Sequence, residues 1–212
     1  MNIQKPQKIL LENLLDISDL LSLDFSDNYI KSINLSQSNN ENTILNNIEF
    51  ENSIFEKVFI TSSNLSENSF SNMKFINCDF SNTSFENTSF VRCEFVNCKI
   101  VGTSFIGTSF YNVIFSNCNA NYSNFSLASF NNVLFENSNL RNSYFQDNKL
   151  KNIYFEESNL SQTHFSNTHL TGIDLSSCDI EGIAVSLNDV KGLVITQMQA
   201  LNLLYLLGIK IK

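Results

Sequence analysis

The chain has 212 residues, 42% of them hydrophobic, and carries 13 basic against 21 acidic side chains for a net charge of −8. That balance argues against nucleic acid or an anionic membrane as partner, since both would repel a negative surface. No stretch approaches the ~18 apolar residues of a membrane-spanning helix. Glu12, Asp16 and Asp19 interrupt the N-terminal apolar residues, so this segment does not read as a signal peptide and the expected location is the cytoplasm.

In chain order, residues 8–21 (KILLENLLDISDLL) have helix-like apolar spacing, and residues 1–21 are expected to form a capping segment over an open end. Leu23, Phe25, Ile30, Ile33 and Leu35 look like the start of a regular body spanning 22–195. Within that body the polar run 36–43, which puts Asn40 where an apolar residue belongs, predicts a loop. From Leu45 to Ile195, thirty of the thirty-one residues at multiples of five are bulky and apolar, Ala120 being the exception. Of the 19 phenylalanines, all but Phe59 fall on this register.

A period of five scatters side chains around a helix and sends successive ones to opposite faces of a flat strand. It fits a chain that turns a corner every five residues, with each phenylalanine pointing inward. All five cysteines (Cys78, Cys93, Cys98, Cys118, Cys178) lie two residues before a register position, in slots that serine, threonine, valine or alanine fill elsewhere. They read as small inward residues with free thiols, because stacked parallel side chains aim the same way and make poor disulfide geometry.

After the register ends, Thr196-Gln197-Met198-Gln199 has the spacing of a capping box and Gly208 that of a helix stop, predicting a C-terminal helix within 196–212. The run Ala200–Leu207 is apolar apart from Asn202, so one side of such a helix covers the last coil and the other needs a partner. A twofold dimer joined at the C-termini is the expectation.

No nucleophile–base set, phosphate-binding glycine loop or CxxC spacing is visible. His164 and His169 fall on outward positions, and Glu156-Glu157 is an isolated acidic pair. No catalytic residue, metal site or cofactor is expected; the chain reads as a binding protein, not an enzyme.

The units Cys78-Asp79-Phe80-Ser81-Asn82 and Thr83-Ser84-Phe85-Glu86-Asn87 show the form small–polar–Phe/Leu–polar–Asn, and this resembles the pentapeptide-repeat family. The resemblance implies an all-β fold, a right-handed quadrilateral β-helix with four pentads per 20-residue coil, nearly eight coils between 45 and 195. Sorting charges by a 20-residue period then gives four sides. The side centred on Phe55, Phe75 and Phe95 through Leu175 carries Glu56, Glu94, Glu136, Glu156, Glu157 and Asp174 against Lys57 and Lys74, a net −4. From Ile100 to Phe135 no residue is charged.

The length and the ending GLVITQMQALNLLYLLGIKI resemble the Qnr and MfpA subgroup, the fluoroquinolone-resistance proteins, and most of all the Qnr-type proteins of Gram-positive bacteria. That resemblance implies a rod-shaped homodimer that imitates duplex DNA, binds DNA gyrase or topoisomerase IV, modulates it and confers drug resistance. On this analogy Leu201, Leu204, Tyr205 and Leu207 would be dimer-interface residues. The column count nominates Glu94, Glu136, Glu156, Glu157 and Asp174 as the phosphate-like face. Those five carboxylates cover four coils, ~19 Å, where duplex DNA carries about eleven charges. The alternative is a rigid interaction rod for a non-topoisomerase partner, using the neutral Asn/Ser band at 100–135.

Overall fold

In the computed structural model, which describes residues 3–5 and 9–208, the chain winds into a single parallel β-solenoid. Eleven strands form one sheet: β1 (Leu15–Ile17), β2 (Tyr29–Lys31), β3 (Ile33–Ser36), β4 (Glu49–Glu51), β5 (Ile54–Glu56), β6 (Ser69–Ser71), β7 (Lys74–Ile76), β8 (Ser89–Val96), β9 (Ser109–Ser116), β10 (Ser129–Glu136) and β11 (Lys149–Glu156). From β2 onward each residue pairs with the one 20 positions later: Ile30, Phe50, Phe70, Phe90, Phe110, Phe130 and Leu150 are successive rungs. Up to Glu156 two sides of the coil carry these strands and the other two carry single bridges such as Asp79↔Lys99 and Ser84↔Ser104; beyond it only bridges such as Asp174↔Val194 remain. The result is the four-sided β-helix that the five-residue register predicts.

The corners explain the last position of the pentad. Residues two after most register positions have positive φ, among them Asn72 (52°), Asn77 (54°), Asn82 (56°) and Asn87 (55°). Asparagine is the non-glycine residue that most readily enters this left-handed region, so it recurs at the turn. Glycine replaces it at 102, where an added Cβ would lie 2.6 Å from Asn82 Oδ1 in the coil below.

The core is a solid stack of rings. Within one column Phe70, Phe90 and Phe110 lie near-parallel at centroid distances of 5.0 and 5.5 Å, while neighbouring columns meet edge-on, as for Phe90 and Phe95 at 5.4 Å. Both are favourable aromatic geometries. At Ala120 the ladder is kept, its N–H donating to Asn139 at 2.7 Å. Tyr122 does not fill the space, being 61% exposed; instead the rings of opposite sides, Phe115 and Phe125, face each other across this level at 6.3 Å.

The small inward slot has a specific job. A hydroxyl or thiol there donates to the carbonyl 23 residues earlier: Thr103 to Phe80 at 2.8 Å, Thr163 to Leu140 at 2.9 Å, Cys98 to Phe75 at 3.3 Å. The cysteines are therefore interchangeable with serine and threonine, and all five are free and buried. Burial pushes the Cys93 thiol up to about 12 and raises Cys78, Cys98 and Cys178 as well. Folded thiols stay neutral where unfolded ones, near 9.0, begin to ionise, so this contribution to stability is intact below about 9 and is lost as pH climbs above it.

Two expectations are corrected. Residues 36–43 are not a loop but part of the wall: Asn39 bridges Phe59, Asn40 N–H donates to Phe59 at 2.7 Å, and Ser38 and Asn40 are buried. The polar inward side chain at 40 is tolerated because Ser38 donates to its Oδ1 and its own Nδ2 donates to Asp19 at 3.3 Å. The expected N-terminal helix is also absent among the described residues. Two 3₁₀ turns, Leu11–Asn13 and Leu20–Ser22, flank β1, which pairs with β3 at an offset of 18 (Leu15↔Ile33) and so begins the solenoid. Asp16 and Asp19 decide this locally, by accepting from Asn34 Nδ2 (2.8 Å) and capping Leu21 N–H (3.0 Å).

Phe110 is 1% exposed and touches rings on every side. Phe110→Ala should lower stability by ~3–5 kcal/mol in denaturant melts; a loss under ~1 kcal/mol would contradict a buried, close-packed register. Thiol titration with a disulfide reagent at mildly alkaline pH should label none of the cysteines in the native chain and all five after unfolding. Rapid native labelling of Cys78, Cys98 or Cys118 would show that the column is open.

Candidate functional site: the acidic side and the C-terminal cap

A core filled with rings leaves the outward side chains as the place for recognition. On the side centred on Phe55, Phe75, Phe95, Phe115, Phe135, Phe155 and Leu175, strands β10 and β11 set Glu136 directly beside Glu156 in register. Glu156, Glu157 and Asp174 are exposed and Glu136 is half-buried. Among the described residues none of these four has an ion pair. The Ser176 hydroxyl and backbone N–H hold the Asp174 carboxyl below its ordinary value, the N–H donating at 2.8 Å, so this group stays charged in mildly acidic solution. Tyr154, Glu156, Gly172, Asp174, Ser176 and Ser177 border an open depression of about 490 Å³.

Glu94 behaves differently. It is 8% exposed and lies 3.2 Å from Lys74 Nζ and 3.6 Å from Lys5 Nζ. Toward the N-terminus Glu56 pairs with Lys57 at 3.5 Å. Of the five carboxylates nominated from sequence, the structure thus gathers Glu136, Glu156, Glu157 and Asp174 as an uncompensated patch in the C-terminal half and leaves Glu94 apart, neutralised. Sequence reasoning missed Lys5, which lies 89 positions away in the chain. Its signal was indirect: the outward column of this side holds Ile54 where the repeat is usually polar.

The C-terminal end closes the solenoid. Thr196 and Gln199 form the predicted capping box, with Thr196 N–H to Gln199 Oε1 at 2.8 Å and Gln199 N–H to Thr196 Oγ1 at 3.2 Å. Gln199 Nε2 also donates to the Leu175 and Cys178 carbonyls at 2.8 and 2.7 Å, satisfying acceptors of the last coil. The α-helix is only Gln197–Ala200; it tightens to a 3₁₀ helix over Leu201–Leu207 and stops at Gly208, φ 67°. Leu203 packs on the core, and Tyr205 donates its hydroxyl to Ile183 at 2.8 Å. Leu201, Tyr205 and Leu207 remain 51–62% exposed, joined by Met198 at 75%, while Leu204 is half-buried. The tail beyond Gly208 lies outside the described residues.

Among the described residues no group of three or more His, Cys, Asp or Glu side chains is placed to hold a metal ion, and no helix is long and apolar enough to cross a membrane.

A wall built from short inward-facing pentads, stacked at 20 residues and closed by a helical cap, defines a repeat solenoid whose interior is filled by its own side chains. The sequence matches the family described as pentapeptide repeat region over residues 68–145, and that described as pentapeptide repeats (8 copies) over 43–82 and 149–182. The chain belongs to the pentapeptide-repeat family.

Among solved structures it is similar to trypsin-treated QnrB1, a plasmid-mediated fluoroquinolone resistance protein, at 22% identity, covering 94% of this chain and 99% of that one with a TM-score of 0.40. Full-length QnrB1 gives 20% identity, 83% and 100% coverage and a TM-score of 0.39. HetL, a pentapeptide repeat protein involved in heterocyst differentiation regulation from the cyanobacterium Nostoc sp. strain PCC 7120, gives 12% identity, 79% and 91% coverage and a TM-score of 0.26. No curated protein matches.

Proposed function

We propose that the protein is a Qnr-like, DNA-mimicking rod that binds a type II topoisomerase, DNA gyrase or topoisomerase IV, in the cytoplasm, modulating the enzyme and conferring fluoroquinolone resistance. The observation that carries this reading is the patch of Glu136, Glu156, Glu157 and Asp174, uncompensated among the described residues, on one side of a rod with a close-packed core. A basic DNA-binding saddle recognises a row of negative charge on a stiff cylinder, and long-range attraction speeds the encounter. The patch spans two coil steps, ~10 Å, so its charge density is roughly two-thirds that of a duplex; shape carries the rest of the match.

In the same reading the protein is a twofold dimer. Met198, Leu201, Tyr205 and Leu207 are exposed together at the end of the rod, next to the coil bearing Asp174. An isologous contact there would place the two acidic patches on either side of the centre.

A second reading, a rigid rod for a non-topoisomerase protein partner, is favoured by one feature of the neutral band. Tyr122 and Leu127 occupy corner positions at φ 62° and 60°, where the repeat most often uses Asn or Gly and otherwise a polar residue, and stand 61% and 62% exposed. A bulky residue in this conformation is strained, and strain concentrates at functional positions.

Supercoiling assays with and without ciprofloxacin test the first reading. The intact chain should inhibit the enzyme or protect it from drug at micromolar concentration. The double variant Glu136→Lys, Glu156→Lys should lose that effect with an unchanged thermal midpoint, because Glu136 is only half-buried, Glu156 is exposed and neither is paired among the described residues. No effect of the intact chain at tens of micromolar refutes the topoisomerase reading, and an activity that survives charge reversal but is lost in Leu127→Asn moves the contact to the neutral band. Light scattering should give a dimer at micromolar concentration and a monomer for Leu201→Asp with unaltered circular dichroism; a monomeric parent chain removes the dimer.

A further inference from the structure

Outward residues immediately before the register position are open on most of the rod: Ile44 is 72% exposed, Phe59 43% and Tyr144 39%. On the acidic side the same position is closed at four coils, with Ile54 at 7%, Glu94 at 8%, Ile114 at 7% and Leu134 at 6%, while Lys74 and Tyr154 are half-buried and Asp174 is exposed. The corner residue Asn112 is only 1% exposed. Outward side chains that lose their solvent are covered by neighbouring coils or by a segment outside the repeat, and at Glu94 and Asn112 such a segment is seen.

The described part of that cover is the chain's own N-terminus. The Gln4 N–H donates to Asn112 Oδ1 at 3.2 Å, and Lys5 Nζ reaches Glu94 at 3.6 Å. Ile9 and Leu11 border a groove with Ile54, Glu56, Lys74 and Ile76. Sequence chemistry fits the role: the chain's one proline follows Lys5, and a residue before proline is held extended. An apolar residue at 3, a cation at 5 and an apolar residue at 9 answer an apolar stripe interrupted by Glu94.

We propose that the acidic side carries a peptide-docking groove, built from Ile54, Lys74, Glu94 and Asn112, whose resident occupant is the N-terminal segment of the same chain. That segment covers the N-terminal half of the side and competes with the basic partner for it, Lys5 standing where a partner's cation would stand. The competition rests on the topoisomerase reading above; the docking does not. Because the groove is occupied in cis, the apparent affinity for the partner is reduced by the fraction of time the segment is down.

The chain contains no tryptophan, so Ile3→Trp places a single reporter in the segment of the full-length protein. Its emission should be blue-shifted and shielded from iodide. Adding Lys5→Glu, which sets a carboxylate against Glu94, should move it to a solvent-like, quenchable state without changing the circular dichroism of the β-helix. Hydrogen exchange on the unsubstituted chain guards against a reporter that perturbs docking: the Gln4 amide should be protected, and should lose that protection in Lys5→Glu. A solvent-like reporter together with an unprotected Gln4 amide overturns the groove. Lys5→Glu alone should bind gyrase or topoisomerase IV ~10-fold more tightly than the parent chain, and equal affinities overturn the competition. If neither protein binds either enzyme, the topoisomerase reading and the competition fall with it, while fluorescence and exchange still decide the docking.

Discussion

Everything in this molecule depends on a corner that recurs every five residues. A flat strand would send successive phenylalanines to alternate faces; a left-handed residue between each pair of sides turns all of them inward. The corner is a local requirement on φ, met by asparagine or glycine at most positions. Once it repeats, the inter-coil hydrogen bonds and ring stacks follow, because equal sides bring each residue over its equivalent 20 positions earlier. Backbone, core and small inward slot thus satisfy one another: the ladder sets the ring spacing, and the slot's hydroxyls and thiols satisfy carbonyls that the corner turns inward.

That hierarchy explains how much was legible. The phenylalanine register and the column period announced the body of the fold, and the small residue two before each ring announced the buried thiols. The segment 36–43 was misread because composition was weighed over register: Asn40 keeps the period although its side chain is polar, and its hydrogen bonds to Ser38 and Asp19 are not visible in a linear pattern. The helix expected over 8–21 failed for a related reason. Leucines at 10, 11, 14 and 15 suit a helix, yet β1 gains more by pairing with β3 at the open edge of the first coil, where an unpaired strand would leave backbone groups unsatisfied. At the other end the capping box was readable to the residue, since its chemistry is local; the tightening to a 3₁₀ helix was not, because it reflects how Leu203 and Tyr205 seat on the last coil.

The candidate site was legible only in part. Column counting placed Glu136, Glu156, Glu157 and Asp174 on one side, since their positions follow from the period alone. It could not show that Glu94, in the same column as Asp174, is held between two lysines, one of them 89 residues distant. Contacts made by a segment outside the repeat obey no period, and Ile54, which borders the groove with Ile9 and Leu11, is their apolar trace in an outward position.

The charge patch carries a cost that the solenoid fixes in place. Glu136 and Glu156 are register neighbours on adjacent strands, and like charges directly opposite one another destabilise a sheet by a fraction of a kcal/mol up to ~1 kcal/mol. The next rung down holds Ser116, so the repeat accepts a neutral residue in that column. A flexible surface would relieve the repulsion by moving the two groups apart, but strands tied to a close-packed ring stack cannot separate. The carboxylates are therefore held together before any partner arrives, and a cation placed between them turns repulsion into attraction with little further ordering to offset the gain.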